Sequence, residues 1–155
     1  MAMERKLPFR VVAATSEDAD YPASELNVHS PQTRGWQSAR FCDFPQEIVV
    51  WFPDGAVDVS QVQLLSHQSK IATRVELFAG VGAAYDTASF KRLGYLSLDS
   101  NERSGYKVRG RRWGCGRAQR RRRARVWWRS VAGPQDRSLL LHQTTFQQQS
   151  CRRAS

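Results

Sequence analysis

A side chain that attacks a substrate, moves a proton or holds a metal needs partners at set spacing, and the residues of the right types in this chain are scattered. His29 and His67 lie near Ser and Asp residues in the sequence. No triad spacing, nucleophile elbow or phosphate-cradling glycine run accompanies them, so both read as structural hydrogen-bonding groups. Asp54, Asp86 and Asp99 each stand beside Gly, Ser or Thr, and with Asp58 they read as turn formers, a calcium site being the remote alternative. Cys42, Cys115 and Cys151 are odd in number, widely spaced and matched by only 3 histidines, which suggests neither a disulfide framework nor a zinc cluster. The residues themselves therefore point to no enzyme, no metal and no cofactor, in a reducing cytoplasmic setting.

The chemistry that is concentrated is electrostatic. Arg120, Arg121, Arg122, Arg123 and Arg125, with Trp127 and Trp128 interleaved, are of the types that neutralise phosphates and stack on bases, so RNA or another polyanion is the partner they would take. The formal charge of +10 belongs entirely to this end of the chain. Residues 1–106 hold 10 Lys+Arg against 13 Asp+Glu, a balance of −3, whereas residues 107–155 hold 14 against 1, a balance of +13. The same arm would also suit an acidic protein surface, and 120–125 has the composition of a weak nuclear-import signal. The plainest reading of so abrupt a change is an Arg-rich disordered segment, arising from an alternative splice form or a change of frame.

What would position such residues is one domain, since 155 residues with 41% hydrophobic content suffice for one modest core and not for two. No apolar run approaches the ~20 residues of a membrane span, and the charged start lacks the apolar block of a signal peptide, so a soluble intracellular protein is expected. Strands dominate the acidic part. Phe9-Arg10-Val11-Val12-Ala13-Ala14 and Ile48-Val49-Val50-Trp51-Phe52 are rich in β-branched and aromatic residues. Pro53-Asp54-Gly55 closes the second as a turn and predicts a hairpin whose return arm is Val57-Asp58-Val59-Ser60, continued by Val62-Gln63-Leu64-Leu65 across a bulge. Ile71, Thr73, Val75 and Leu77 alternate with Ala72, Arg74 and Glu76 as in a half-buried strand. Tyr95-Leu96-Ser97-Leu98 is a further strand, and a helical turn or two fits between Ala83 and Leu93. Short strands at turn-rich spacing predict a β-sandwich or barrel.

Three stretches carry more than generic sheet composition: 35–48, with Arg40-Phe41-Cys42 and Phe44-Pro45-Gln46-Glu47-Ile48; 62–78, with Gln63-Leu64-Leu65-Ser66-His67-Gln68; and 90–109, with Arg92-Leu93-Gly94-Tyr95. In order and spacing they resemble the N-terminal jelly-roll domain of the centrosomal protein of 104 kDa family, over about residues 9–109. The resemblance implies an all-β, discoidin/galactose-binding-like jelly-roll sandwich. It also implies a non-enzymatic protein-interaction domain in the cytoplasm and cytoskeleton, at the cilium tip or the centriole and centrosome. Ciliary-tip or centrosomal proteins, with tubulin among them, are then the expected partners; the tubulin-binding and zinc-finger domains of that family are not matched here. A carbohydrate-binding sandwich rests on fold analogy alone.

Within the first stretch, Trp36 and Phe41 are both expected inside, because a sandwich this small needs its aromatics in the core; the alternative places one of them at the rim as an anchor. If a loop edge binds, Trp36, Arg40 and Phe44 combine an anchor, a charge and an aromatic within nine residues and are the protein-binding candidates. The family's jelly roll continues with further strands after the position of Arg109, and nothing from Gly110 onward resembles them. The expected organisation is thus an incomplete sandwich over 1–109 with an Arg-rich, disordered tail over 110–155. In it the apolar faces of the Ile48 and Ile71 strands would be left open, with Ser138-Leu139-Leu140-Leu141-His142 able to pair at most once.

Overall fold

The computed structural model describes residues 4–55, 57, 59–66, 70, 72–82, 84, 86–97, 106–113, 124–132 and 140–149, the last three segments by their backbone and its pairing. Ten strands are assigned among them: β1 (Glu4–Leu7), β2 (Arg10–Ala14), β3 (Trp36–Gln37), β4 (Gln46–Trp51), β5 (Val59–Ser66), β6 (Arg74–Val81), β7 (Ser89–Ser97), β8 (Tyr106–Trp113), β9 (Ala124–Ala132) and β10 (Leu140–Gln149). They build two five-stranded sheets, every recorded pairing being antiparallel. The first runs β1-β10-β5-β8, with β3 also against β10, and the second runs β2-β4-β9-β6-β7.

Period-two patterning explains how the sheets meet. On β4, Ile48 and Val50 face the core together with Phe52 just beyond the strand, and on β6 Val75 and Leu77 do the same. Val62 and Leu64 supply the opposing face from β5 in the other sheet, and all seven are buried. Each such side chain contributes about 1.5–3 kcal/mol by leaving water, which makes this shared layer the main source of stability. A short 3-10 turn (Ala23–Asn27) caps one end with Ala23 and Leu26 buried, while Asn27 Oδ1 accepts a 2.7 Å hydrogen bond from the Val11 amide of edge strand β2. This turn, within the polar loop that follows β2, is not anticipated by the sequence reading.

The turn at Pro53-Asp54-Gly55 forms, with Gly55 at φ +88° and its amide 3.3 Å from the Phe52 carbonyl. The hairpin does not. β4 pairs with β2 and β9, and β5 pairs with β8 and β10, so the turn carries the chain from one sheet to the other. Turn residues dictate a local reversal only; here the reversal leaves the Ile48/Val50 and Val62/Leu64 faces opposed across the core. The bulge expected between Val59 and Val62 is present as a register shift between Val59 and Gln61. The helical turn between Ala83 and Leu93 gives way to strand: β7 begins at Ser89 and forms a hairpin with β6, where a Cβ on Gly82 would stand 2.6 Å from the Ala88 Cα. The alternating segment begins as β6 only at Arg74, with Thr73 exposed before it; Ile71 lies outside the described residues.

The largest departure is at the end of the chain. Where the composition predicts a boundary at 109 and a disordered tail, β8 runs on to Trp113, β9 is inserted between β4 and β6, and β10 between β1 and β5. The physical reason is visible once charge is set aside. Ala124-Arg125-Val126-Trp127-Trp128-Arg129-Ser130 holds Arg125, Trp127 and Arg129 on one parity and Val126 and Trp128 on the other, a strand pattern that the arginine count conceals. Both sheets have their central strands, and the openings expected beside the Ile48 strand are filled. Residues 114–123, with Arg120, Arg121, Arg122 and Arg123, and 133–139 and 150–155 lie outside the described residues.

Candidate functional site

Trp36 and Phe41, five residues apart, are sent in opposite directions. Trp36 is 1% exposed on β3, and its indole Nε1 donates a 3.0 Å hydrogen bond to the Ser16 carbonyl. Phe41 is 77% exposed and has φ +56°. A bulky L-residue in the left-handed region costs on the order of 1–3 kcal/mol, and it persists only where the surrounding chain imposes it.

The imposing structure is a polar framework beneath the 38–45 loop. Ser38 and Gln46 are buried at its two ends. Ser16, from the loop after β2, sits between them: its Oγ donates to Gln46 Oε1 at 2.6 Å and accepts from the Ala39 amide at 3.2 Å. Gln46 Nε2 donates to the Asp43 carbonyl, and Cys42 Sγ lies 3.4 Å from Ser38 Oγ. At the base, the Thr15 amide bonds the Glu47 carbonyl at 2.9 Å and the Glu47 amide bonds Thr15 Oγ1 at 3.0 Å. Gln37 is tied to the same neighbourhood: its amide bonds the Tyr21 carbonyl, its carbonyl accepts from the Asp18 amide, and its Oε1 accepts from Lys70 Nζ at 3.0 Å. The loop is therefore held from three segments, and the turn at Arg40 and Phe41 is its outward tip.

Of the three protein-binding candidates, Trp36 is a core residue whose burial removes it from any surface. Arg40 is exposed beside Phe41, and Phe44 is half-buried against the core. Phe41, expected inside, is the exposed aromatic of this stretch, and Trp36 is the buried one. The two aromatics are equivalent in composition and differ only in backbone: Trp36 lies in a strand, and the positive φ at Phe41 turns its side chain out. Pro45 is exposed just before β4, as a strand entry without a ladder donor should be.

The polyanion candidates divide by register. Trp128 is paired with Ile48 and Leu77, both core residues, so its position is on the inner face of the second sheet. Trp127 is paired with Val49 and Phe78, and Arg125 with Trp51 and Gly80, on the outer face. His29 is exposed after the 3-10 turn, Asp54 makes a solvent-exposed 3.6 Å ion pair with Arg5, and Asp86 is an exposed turn residue. His67, Asp58 and Asp99 lie outside the described residues. Among the described residues, no group of three or more His, Cys, Asp and Glu side chains is placed to hold a metal, and no helix is long and apolar enough to cross a membrane.

Residues 35–113 match the family described as Centrosomal protein CEP104, N-terminal domain. Over 112 residues the chain is 38% identical to the Centrosomal protein of 104 kDa of Homo sapiens and, to the same extent, to that of Mus musculus; the match covers 69% of this chain and 12% of each relative. The chain thus corresponds to a small part of those proteins. Among solved structures, the fold is similar to that of the family 32 carbohydrate-binding module of C. perfringens NanJ in complex with galactose. The TM-score is 0.71 at 13% identity, over 94% of this chain and 100% of that one. It is similar also to the N-terminal domain of the single-strand break repair protein XRCC1, with a TM-score of 0.70 at 16% identity, over 94% of this chain and 99% of that one. At such identities the likeness is one of fold, a discoidin/galactose-binding-like sandwich.

Proposed function

The chain belongs to the Centrosomal protein CEP104, N-terminal domain family, and from that premise we propose that it is a non-enzymatic docking domain of the centrosome, centriole and cilium tip. In this reading the 38–45 loop engages a partner protein of the microtubule cytoskeleton, with Phe41 as the anchor and Arg40 as its charged neighbour. The observation that carries it is Phe41 itself, 77% exposed and turned outward at φ +56° on a loop held by part-buried hydrogen bonds from Ser16 to Gln46 and Ala39. An aromatic side chain presented rigidly has already lost the freedom that docking would otherwise remove, and residues of this kind dominate interfaces when a partner supplies an apolar pocket. The support for a centrosomal partner is the family; the support for the loop is its geometry.

The magnitude follows from exposure. Fully burying a Phe side chain is worth about 1.5–3 kcal/mol, and the 77% still in water at Phe41 leaves about 1–2 kcal/mol to be gained in a complex. At about 1.4 kcal/mol per decade, Phe41→Ala should weaken partner binding by roughly 5- to 30-fold. The test is recruitment of the tagged full chain to the cilium tip and centriole of ciliated cells, together with co-sedimentation with microtubules in extract from those cells. Phe41→Ala should lose recruitment while its thermal unfolding matches the parent chain. Undiminished recruitment of Phe41→Ala and of Arg40→Glu would exclude this loop as the docking element.

A further inference from the structure

A second grouping, independent of the Phe41 loop, lies on the outer face of the second sheet. Arg74 stacks over Tyr95 with its guanidinium carbon 4.4 Å from the ring centroid, and Arg92 approaches the same ring at 5.8 Å. Both arginines converge on one carboxylate, Glu76 Oε1 lying 3.0 Å from Arg74 Nη2 and 2.7 Å from Arg92 Nη2. Two cations share one anion here, and Tyr95 remains 44% exposed. Register extends the pattern across the sheet. Arg129 on β9 is paired with Glu76 and Glu47, Arg125 with Gly80 and Trp51, and Arg10 on β2 with Trp51. The outer face therefore places Arg10, Arg74, Arg92, Arg125 and Arg129 against Glu47 and Glu76, among positions held by Trp51, Phe78, Tyr95 and Trp127. By position this face is basic and aromatic, exposed at Tyr95 on β7, with Val49, 2% exposed, opposite Trp127 at its middle.

We propose that this face docks an extended, Glu- and Asp-rich segment of a partner protein. The spacing suits such a segment. Positions four apart on a strand, such as those of Arg125 and Arg129, stand roughly 14 Å apart, and an extended peptide presents same-side residues every ~6.8 Å, so carboxylates at every second or fourth position match that spacing. Guanidinium groups take carboxylates in bidentate fashion, and among the described residues those of Arg74 and Arg92 share the single carboxylate of Glu76. Glu76 and Glu47 set the class of partner. They occupy the register positions on both sides of Arg129, where a phosphodiester backbone carrying charge at each unit would meet them, whereas a peptide can place uncharged residues there.

The test uses the full chain and a fluorescein-labelled peptide in which Glu alternates with Ser, titrated by fluorescence anisotropy at 50 mM and 200 mM salt. Arg92→Gln and Arg74→Gln should each weaken binding about fivefold, and Arg34→Gln, on an exposed loop away from this face, should leave it unchanged. Glu76→Gln should tighten binding several-fold, a gain that partial unfolding does not produce, while Asp54→Asn has no effect. Three results overturn the proposal: equal losses at Arg34 and Arg92, no gain at Glu76, or tighter binding of a single-stranded RNA of the same nominal charge. The last would make the face a nucleic-acid surface.

Discussion

Substituting Trp36 and Phe41 one at a time separates a core aromatic from an exposed one, where composition expects both to behave alike. Trp36→Ala empties a fully enclosed site, and large-to-small changes of this kind cost about 3–5 kcal/mol. It also strips the Ser16 carbonyl of the 3.0 Å donor at Trp36 Nε1, and losing this part-buried hydrogen bond costs a further ~1 kcal/mol. Phe41→Ala removes a side chain that is 77% in water already, so its effect should lie within about 0.5 kcal/mol. Phe41→Gly should be at least as stable as the parent, because glycine takes φ +56° without steric penalty. Urea unfolding of the intact chain, followed by far-UV circular dichroism, separates these outcomes. With a slope of about 1–3 kcal/mol per molar, Trp36→Ala should lower the midpoint by more than 1 M or abolish the transition, and Phe41→Ala should move it by a few tenths at most. A loss above about 1.5 kcal/mol for Phe41→Ala would mean that the ring is packed, and the docking loop would have no anchor.

Ser16→Ala should cost about 1–3 kcal/mol, because it leaves both Gln46 Oε1 and the Ala39 amide without their partner, and it should weaken recruitment as well by releasing the loop; chemical denaturation and localisation read the two effects. Val126→Pro should prevent folding, since proline in the middle of β9 removes a ladder donor between β4 and β6; a cooperative transition retained by this variant would exclude the central placement of β9. Gly82→Ala should destabilise by about 1–3 kcal/mol, its Cβ meeting the Ala88 backbone at 2.6 Å. Gly80→Ala, whose Cβ meets the Phe90 ring, should cost less because a half-buried ring can swing aside. Thermal melts of the two variants side by side check the order.

How much of this was legible in the sequence depends on what each signal encodes. Ile48-Val49-Val50-Trp51-Phe52 is β-branched and aromatic throughout, and the strand it predicts is present with Ile48, Val49, Val50 and Phe52 buried. The Val59–Val62 parity change marked the bulge because parity is a one-dimensional property. The partner of a strand is not, and Pro53-Asp54-Gly55, whose turn chemistry predicts a hairpin, joins opposite sheets. Phe41 was misplaced because hydrophobicity says nothing about φ, and the framework that sets it comes from Ser16, 30 residues from its partner Gln46. At β9 the strand signal is present but overlaid by charge. Five arginines among residues 120–125 set the composition of the window, and the alternation of Arg125, Trp127 and Arg129 with Val126 and Trp128 was lost within it. The family resemblance reaches the correct fold class and stops near Arg109, a little short of position 113, where the family match ends.

The position of β9 bears on the order in which the domain can be born. β4 and β6 never touch each other in the ladder, and each waits for a strand whose last residue, Ala132, is made roughly 50 residues after Val81. β1 waits longer, because Glu4 pairs with Gln149. At about 5–20 residues per second, the ribosome leaves the second sheet without its middle for several seconds, with the Ile48 and Leu77 faces accessible to chaperones throughout. Folding is thereby deferred until translation has read through the arginine codons, and a nascent chain that stops or shifts frame before them is left as two half-sheets with nothing to join them, a substrate for degradation rather than a smaller working domain.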